Sequence, residues 1–379
     1  MSSTMKWIVA VIVIILIIAG VWYYGSKPSA APIETGPIKV GFVGPLTGDV
    51  ANVGLNNKAA VELAVEAINK EGGINGRQIE MIYEDGKCDG ATAATAAQKL
   101  VNIDKVTAII GACCSAETLA MAPIAEQGKV VIISPVSSSP ALSSAGDYIF
   151  RDYPSDSFQG SKAAVLAMGD LKAKNIAVLT CQSDWCAGIE KVFVEKIKAL
   201  GGKIVAEEKF DDKTTKDLKT QLTKIKAAKP DLIYFPAYSD STIIGLKQAK
   251  ELGLKVQFLG GDAWDDPKIV EGAGKAAEGI VYLKPSAPAT DEFRAAMAAK
   301  LGNNEITTGS PQAYDAANIL AQVMKAFGSD STKIKDALYK VANYQGVSGS
   351  ISFDQNGDLV DANYDIKTVK DGKVIDFKP

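Results

Sequence analysis

Histidine is absent from all 379 residues. With it go the commonest general base, the Ser-His-Asp and Cys-His nucleophile systems, and most zinc and iron sites. Concentrated charge is missing too. The 41 Lys and Arg residues against 44 Asp and Glu leave a net charge of −3, and the basic residues are spread along the chain rather than gathered into the patch a nucleic-acid binder presents. Cysteines number only five, and their spacings fit no zinc pattern. No fixed-period repeat marks a solenoid. A hydrophobic share of 47% against 22% charged residues excludes a disordered chain and leaves an ordinary globular one, long enough for two domains. The composition favours binding over catalysis, with no cofactor and no metal implied.

The N-terminus is the exception to the mixed composition. Residues 8–21 carry no charge and are flanked by Trp7 on one side and Trp22, Tyr23 and Tyr24 on the other. The length and the interfacial aromatics predict one transmembrane helix within residues 1–25. Lys6 on the short side would keep that end in the cytoplasm and send the rest outward. A cleaved signal peptide is the competing reading; its one candidate site, Ser29-Ala30-Ala31, puts Pro32 just past the cut. No cysteine follows the run, so a lipid anchor is not indicated. Residues 26–37, SKPSAAPIETGP, read as a flexible tether.

Beyond the tether, apolar strand-like runs alternate with helical patterns: IKVGFV, QIEMIY, VTAII, VVIIS, NIAVLT, KIVAEEKF, DLIYFP, VQFLG and GIVYL. Residues 54–70 place Val61, Leu63, Ala64, Val65 and Ile68 on one helical face, and residues 217–228 set Leu218, Leu222 and Ile225 against a lysine-rich wet face. Short central strands with helices between them predict an α/β fold of parallel sheets covered on both faces. Near the C-terminus SGSISF, DQNG, NYDIKTVK and KVIDF read as hairpins.

Two strands empty into hydroxyls. VTAII runs into GACCSAETLA (111–120), and VVIIS opens into PVSSSPAL. In open parallel sheets ligands bind beyond the carboxyl ends of the strands, where helix N-termini offer unpaired N–H groups. Ser115 is a candidate N-cap able to bind an arriving anion, and Ser137 and Ser138 stand at the equivalent exit.

The order of motifs from Ile38 to Lys373, IKVGFVGPLTGDVANVG, AINKEGGINGRQIEMIYEDGKCD, GACCSAETLAMAPIAEQGKVVIISPVSSSPAL, YIFRDYPSDSFQG, DLIYFPAYSD, GLKQAKELGL and GSISFDQNGDL, resembles the periplasmic branched-chain amino acid binding proteins of ABC transporters. The resemblance implies a type I periplasmic binding protein fold, two doubly wound Rossmann-like lobes joined by three crossovers. It sets the lobes at residues 38–155 with 286–347 and at 156–285 with 348–379. It implies that the Ser115 and Ser138 hydroxyls hold a ligand α-carboxylate and that the Val136 carbonyl accepts from the α-ammonium. It further implies that Asp262 pairs with that ammonium and that Trp185 and Tyr238 line the pocket. Asp262 stands where many members carry glutamate, Val53 where some carry an aromatic residue, and Trp185 where tyrosine is usual.

The resemblance also implies a disulfide between Cys88 and Cys114. Cys181 and Cys186 are close enough in sequence for a second, local bridge, leaving Cys113 as a small apolar residue at a strand end. FDQNGDL has calcium-loop residue types but lacks the terminal glutamate, and Asn-Gly between apolar alternations signals a hairpin. GPLTGDVANVG lacks the Gly-Lys-Ser of a phosphate loop. Asp265 and Asp266 before Pro267 read as a helix cap rather than glycosidase acids. The implied function is capture of a branched-chain or other apolar amino acid outside the cytoplasm by a monomer and delivery to an ABC transporter permease, without catalysis. A ligand-sensing ectodomain that binds an amino acid, amide or related molecule is the alternative.

Overall fold

The computed structural model describes residues 36–379 and, before them, Ser2, Met5, Trp7, Ile15 and Leu16. The transmembrane helix expected within residues 1–25 therefore lies outside the described residues. Among those described, no helix is long and apolar enough to cross a membrane. Residues 37–379 form one unit.

That unit holds two open sheets. The first contains β1 (Ile38–Gly44), β2 (Ile79–Asp85), β3 (Ala108–Gly111), β4 (Val131–Ser134) and β5 (Ile149–Arg151), ordered β2-β1-β3-β4-β5 and parallel throughout. The second contains β6 (Asn175–Cys181), β7 (Lys203–Phe210), β8 (Leu232–Tyr234), β9 (Gln257–Gly260), β10 (Val281–Pro285), β13 (Tyr364–Lys370) and β14 (Lys373–Asp376), ordered β14-β13-β10-β9-β8-β6-β7. Its first five strands in chain order are parallel, and the β13–β14 hairpin adds antiparallel to β10. The short ribbon of β11 (Tyr344–Gly346) and β12 (Gly349–Ile351) completes the strands. Nine apolar runs read from the sequence are all strands; β5, only three residues long, carried too little pattern to be read as one.

Alternation along buried strands explains the layers. In the first sheet Val40, Phe42, Ile110 and Ile133 face one core, while Val43, Ile109 and Ile132 face the other. Helices α1 (Ala51–Lys70), α9 (Asp291–Leu301), α10 (Ser310–Phe327) and α11 (Ser331–Leu338) close the first core; α2 (Gly90–Gln98) and α3 (Ser115–Gly128) close the second. Strands buried on both faces need continuous apolar sequence, as AIIG of β3 supplies. Truncating such a residue, Ile110 for example, costs about 2–5 kcal/mol. The second sheet repeats the design. Ile176, Val178, Tyr234 and Leu259 pack under α4 (Asp156–Met168) and α5 (Asp184–Ala199). Ala177, Leu179, Ile233 and Phe235 pack under α6 (Lys219–Ala228), α7 (Ser239–Glu251) and α8 (Pro267–Ala273).

The chain passes between the two halves three times, after β5, after β10 and after β12. The segment 348–379, expected to belong with the second sheet, divides: Ile351 and Phe353 pack in the first core, and Tyr364 and Val369 beneath the second sheet. Arg151, almost fully buried at the end of β5, clamps the third passage by a two-point pair with Asp358, Nε to Oδ1 at 2.6 Å and Nη2 to Oδ2 at 2.9 Å. The DQNG turn is a hairpin stem closed by a Phe353–Leu359 bridge, with the Asp354 carboxylate accepting the Asn356 and Asp358 N–H groups. Its carboxylates are engaged by protein, and among the described residues no group of side chains is arranged to hold a metal.

Candidate functional site

The site begins at the end of β3. Gly111 has φ of 135°, and a Cβ there would lie 2.2 Å from the Val43 carbonyl oxygen. Only glycine lets the strand turn so close to β1. Ala112, Cys113 and Cys114 then lead into α3, whose N-cap is Cys114 rather than the expected Ser115; Ser115 is the first helical residue. The cap is made by the Glu117 carboxylate, which accepts from the Cys114 N–H at 2.9 Å and the Cys88 N–H at 3.0 Å. The Cys88–Cys114 disulfide ties the same two positions together. Burial pushes the Glu117 carboxyl up to about 7, against the downward pull of its backbone hydrogen bonds. With Glu117 serving as the cap, Ser115 is left to face the cleft.

Ser115 Oγ accepts the Ser139 N–H at 3.1 Å, which leaves its own proton for another acceptor. Ser138, beyond β4, differs. Its hydroxyl donates to Asp156 Oδ2 at 2.8 Å, so in this arrangement the Ser138 oxygen offers lone pairs, not a proton. The two hydroxyls, expected to act alike, thus differ in their protein partners: Ser115 keeps its proton unengaged, whereas Ser138 commits its own to Asp156. Ser137 is corrected, since it faces away from the cleft. Its hydroxyl is buried against Thr118 Oγ1 at 2.7 Å and the Ala112 carbonyl at 3.2 Å, where it holds the β3 exit to the β4 exit.

Opposite these residues stands Asp262, after β9. Tyr153 donates its hydroxyl to Asp262 Oδ2 at 2.6 Å and lies 2.9 Å from Thr308 Oγ1, while Gln159 Oε1 accepts the Asp262 N–H at 2.9 Å. Gln159 Nε2 also donates to Asp156 Oδ1 at 3.2 Å, so one amide links the Asp156 carboxylate to the Asp262 backbone. Burial raises Asp262; Asp156, fully enclosed, is raised well above the usual carboxylate range by burial and then by the Asp262 charge. Two enclosed carboxylates at mutual expense favour a cation between the strand exits.

Ser115, Val136, Ser138, Trp185, Tyr238 and Asp262 line one cavity of about 60 Å³, where Val50, Val53 and Cys113 add apolar wall. Trp185 and Tyr238 meet with ring centroids 4.9 Å apart, and the Cys181–Cys186 disulfide brackets Trp185. Other lining groups have structural duties. Asp266 caps α8 and takes the Ser239 hydroxyl at 2.6 Å; Asp265 pairs with Lys284 at 2.6 Å. Cys113 is buried, its thiol pushed upward by burial, with Asn57 Nδ2 donating to its sulfur. No cation is among the described residues lining this cavity, and the buried Arg151 is committed to Asp358, so an anion here must use neutral O–H and N–H donors. Sequence reasoning missed Tyr153, Asp156, Gln159 and Thr308; Ser155 and Asp156 signal only a helix start, which Ser155 does cap.

The sequence profile described as periplasmic binding protein matches residues 37–373. The chain belongs to the periplasmic binding protein family. This periplasmic binding protein is 32% identical over 334 residues to the leucine-, isoleucine-, valine-, threonine- and alanine-binding protein of Pseudomonas aeruginosa, covering 87% of this chain and 89% of that one. Its fold is similar to the branched-chain amino acid transporter substrate binding protein of Streptococcus pneumoniae in complex with isoleucine, with a TM-score of 0.81, 32% identity and coverage of 89% and 97%. It is also similar to a Rhodopseudomonas palustris solute binding protein in complex with 3,4-dihydroxybenzoic acid, with a TM-score of 0.78, 26% identity and coverage of 90% and 96%. As a member of this family the chain is an extracytoplasmic solute-binding protein and not an enzyme.

Proposed function

We propose that this chain captures a zwitterionic amino acid with a branched-chain or other apolar side chain and delivers it to the permease of an ABC transporter. The observation that carries the reading is the opposition of unlike groups across one cavity: a free hydroxyl proton on Ser115 at the start of α3, and the Asp262 carboxylate with the Ser138 oxygen facing it. A zwitterion needs donors at one end and acceptors at the other. In this reading the α-carboxylate takes Ser115 and neighbouring N–H groups, and the α-ammonium takes Asp262, Ser138 and the Val136 carbonyl. The side chain rests on Val53, Trp185 and Tyr238.

The same groups separate an amino acid from an aromatic acid. Benzoates carry no ammonium, and binding one would leave Asp262 and Asp156 enclosed without a cation, which is costly. The ligands for which the Pseudomonas and Streptococcus relatives are named point the same way. Closure of the two halves would bury the ligand, and the closed form would present both surfaces to the permease. Residues 1–25 would hold the chain to the outer face of the membrane, as their uncharged run with flanking aromatics suggests.

Calorimetric titration of refolded, ligand-free protein against the twenty amino acids and 3,4-dihydroxybenzoate tests the reading. It predicts micromolar or tighter binding of leucine, isoleucine or valine; binding of the benzoate alone would overturn it.

A further inference from the structure

A second cavity, of about 70 Å³, lies behind the first. The two share Thr308 and Asp265 as lining, and Tyr153, which lines the second, hydrogen-bonds Asp262, which lines the first. Asp265 and Thr308 thus stand where the two cavities adjoin, and Thr308 is small. At the far side stand Thr307 and Gln312, 3% and 4% exposed. Thr307 Oγ1 and Gln312 Oε1 are buried, and among the described residues neither has a hydrogen-bond partner.

Buried polar atoms are normally paired, and an unpaired one is unfavourable. Two of them beside one small cavity, adjoining a ligand site through a threonine, mark a place built for a polar group. The charges nearby decide what kind. Lys284 is neutralised by Asp265 at 2.6 Å, and Arg294 is exposed at the rim with its Nη2 donating to the Pro288 carbonyl at 3.1 Å. The buried end offers an amide oxygen and a hydroxyl, not an ion.

Resting on the amino acid reading above, we propose that the second cavity is a subsite for a neutral hydrogen-bonding tail, so that the protein also takes amino acids whose side chain ends in a carboxamide. In such a ligand the side chain would turn past Thr308 instead of resting on Trp185 and Tyr238, its N–H groups donating to Gln312 Oε1 and its oxygen accepting from the Thr307 hydroxyl. A site that hydrogen-bonds a ligand group rejects the analogue lacking it much more strongly than an apolar pocket rejects a change of one methylene.

The test is calorimetry on the full chain with L-glutamine, its apolar near-isostere L-homoleucine, L-glutamate and L-leucine, using wild type, Gln312→Met and Thr307→Val. Neither residue lines the first cavity, and circular dichroism melting reports folding. The proposal predicts at least tenfold preference for glutamine over homoleucine and over glutamate in the wild type. That preference should fall tenfold or more in Gln312→Met and severalfold in Thr307→Val, with leucine affinity unchanged within about twofold. A glutamine-to-homoleucine ratio that is the same in all three proteins, or a preference for glutamate, overturns the subsite alone while leucine still binds. Binding of no amino acid by the wild type overturns the parent reading and the subsite with it.

Discussion

Asp262→Asn removes one charge and little else. The asparagine keeps an oxygen to accept the Tyr153 hydroxyl, and the backbone N–H still reaches Gln159. Two opposite consequences follow from the burial of this residue, which is 4% exposed. With ligand bound, the ammonium loses a counter-charge on that wall; the other enclosed carboxylate, Asp156, is raised by burial and is already engaged by Ser138 and Gln159. Truncating one partner of a buried, hydrogen-bonded charge pair costs roughly 2–5 kcal/mol. At about 1.4 kcal/mol per tenfold, leucine affinity should fall by roughly 30-fold at the least. Without ligand, the substitution removes a charge that burial penalises and that repels Asp156, so the unliganded variant should melt at or above the wild-type temperature. Titration calorimetry and differential scanning calorimetry on one preparation read both. Affinity within threefold of wild type, or a fall in affinity matched by a drop in unliganded stability, would refute the reasoning, the second because it would make Asp262 structural.

Ser115→Ala deletes the donor assigned to the ligand carboxylate; a hydrogen bond to a charged group is worth about 1.5–3 kcal/mol, so leucine affinity measured by calorimetry should fall about tenfold or more, whereas Ser137→Ala should lower the melting temperature and leave affinity nearly unchanged. Glu117, raised to about 7 from an ordinary value near 4.5, holds a proton in the fold at pH values where the unfolded chain has lost it. Folding there takes up protons, so stability falls as pH rises from about 4.5 through 7, and Glu117→Gln should flatten that slope in melting curves by up to roughly 3 kcal/mol. Removing the Cys88–Cys114 bridge, which closes a separation of 26 residues, should cost roughly 3 kcal/mol by chain entropy, visible as a lower urea midpoint of Cys88→Ser/Cys114→Ser, and leucine affinity should weaken because the same bridge holds the start of α3.

The layers and the site were legible to different depths. Long apolar runs such as IKVGFV and NIAVLT fixed their strands because burial on both faces demands uninterrupted hydrophobic sequence. β5 escaped because three residues show no period, and its capping residue Arg151 looks like a surface charge until Asp358, 207 residues away, is brought against it. Ser115 follows from its strand exit, whereas Trp185, Tyr238 and Asp262 were indicated only by the resemblance to the family; all four line one cavity. What each hydroxyl donates to was not legible. Ser137 and Ser138 are neighbours of the same type, yet one points into the sheet and the other toward Asp156, a difference of one residue in a turn. Glu117 displaced Ser115 as the cap for a similar reason: a carboxylate three residues into the helix reaches back to both disulfide-linked backbones, a long-range arrangement with no local signature.

The measurement closest to the central claim is titration of ligand-stripped protein with three molecules that share one side chain: leucine, leucinamide, which lacks the carboxylate, and 4-methylpentanoate, which lacks the ammonium. Recognition of both ends of a zwitterion predicts micromolar or tighter binding of leucine and a loss of about a hundredfold or more for each analogue, since each leaves buried polar groups unpaired. Binding of 4-methylpentanoate as tight as leucine would contradict the account, because Asp262 and Ser138 would then have no ammonium to hold.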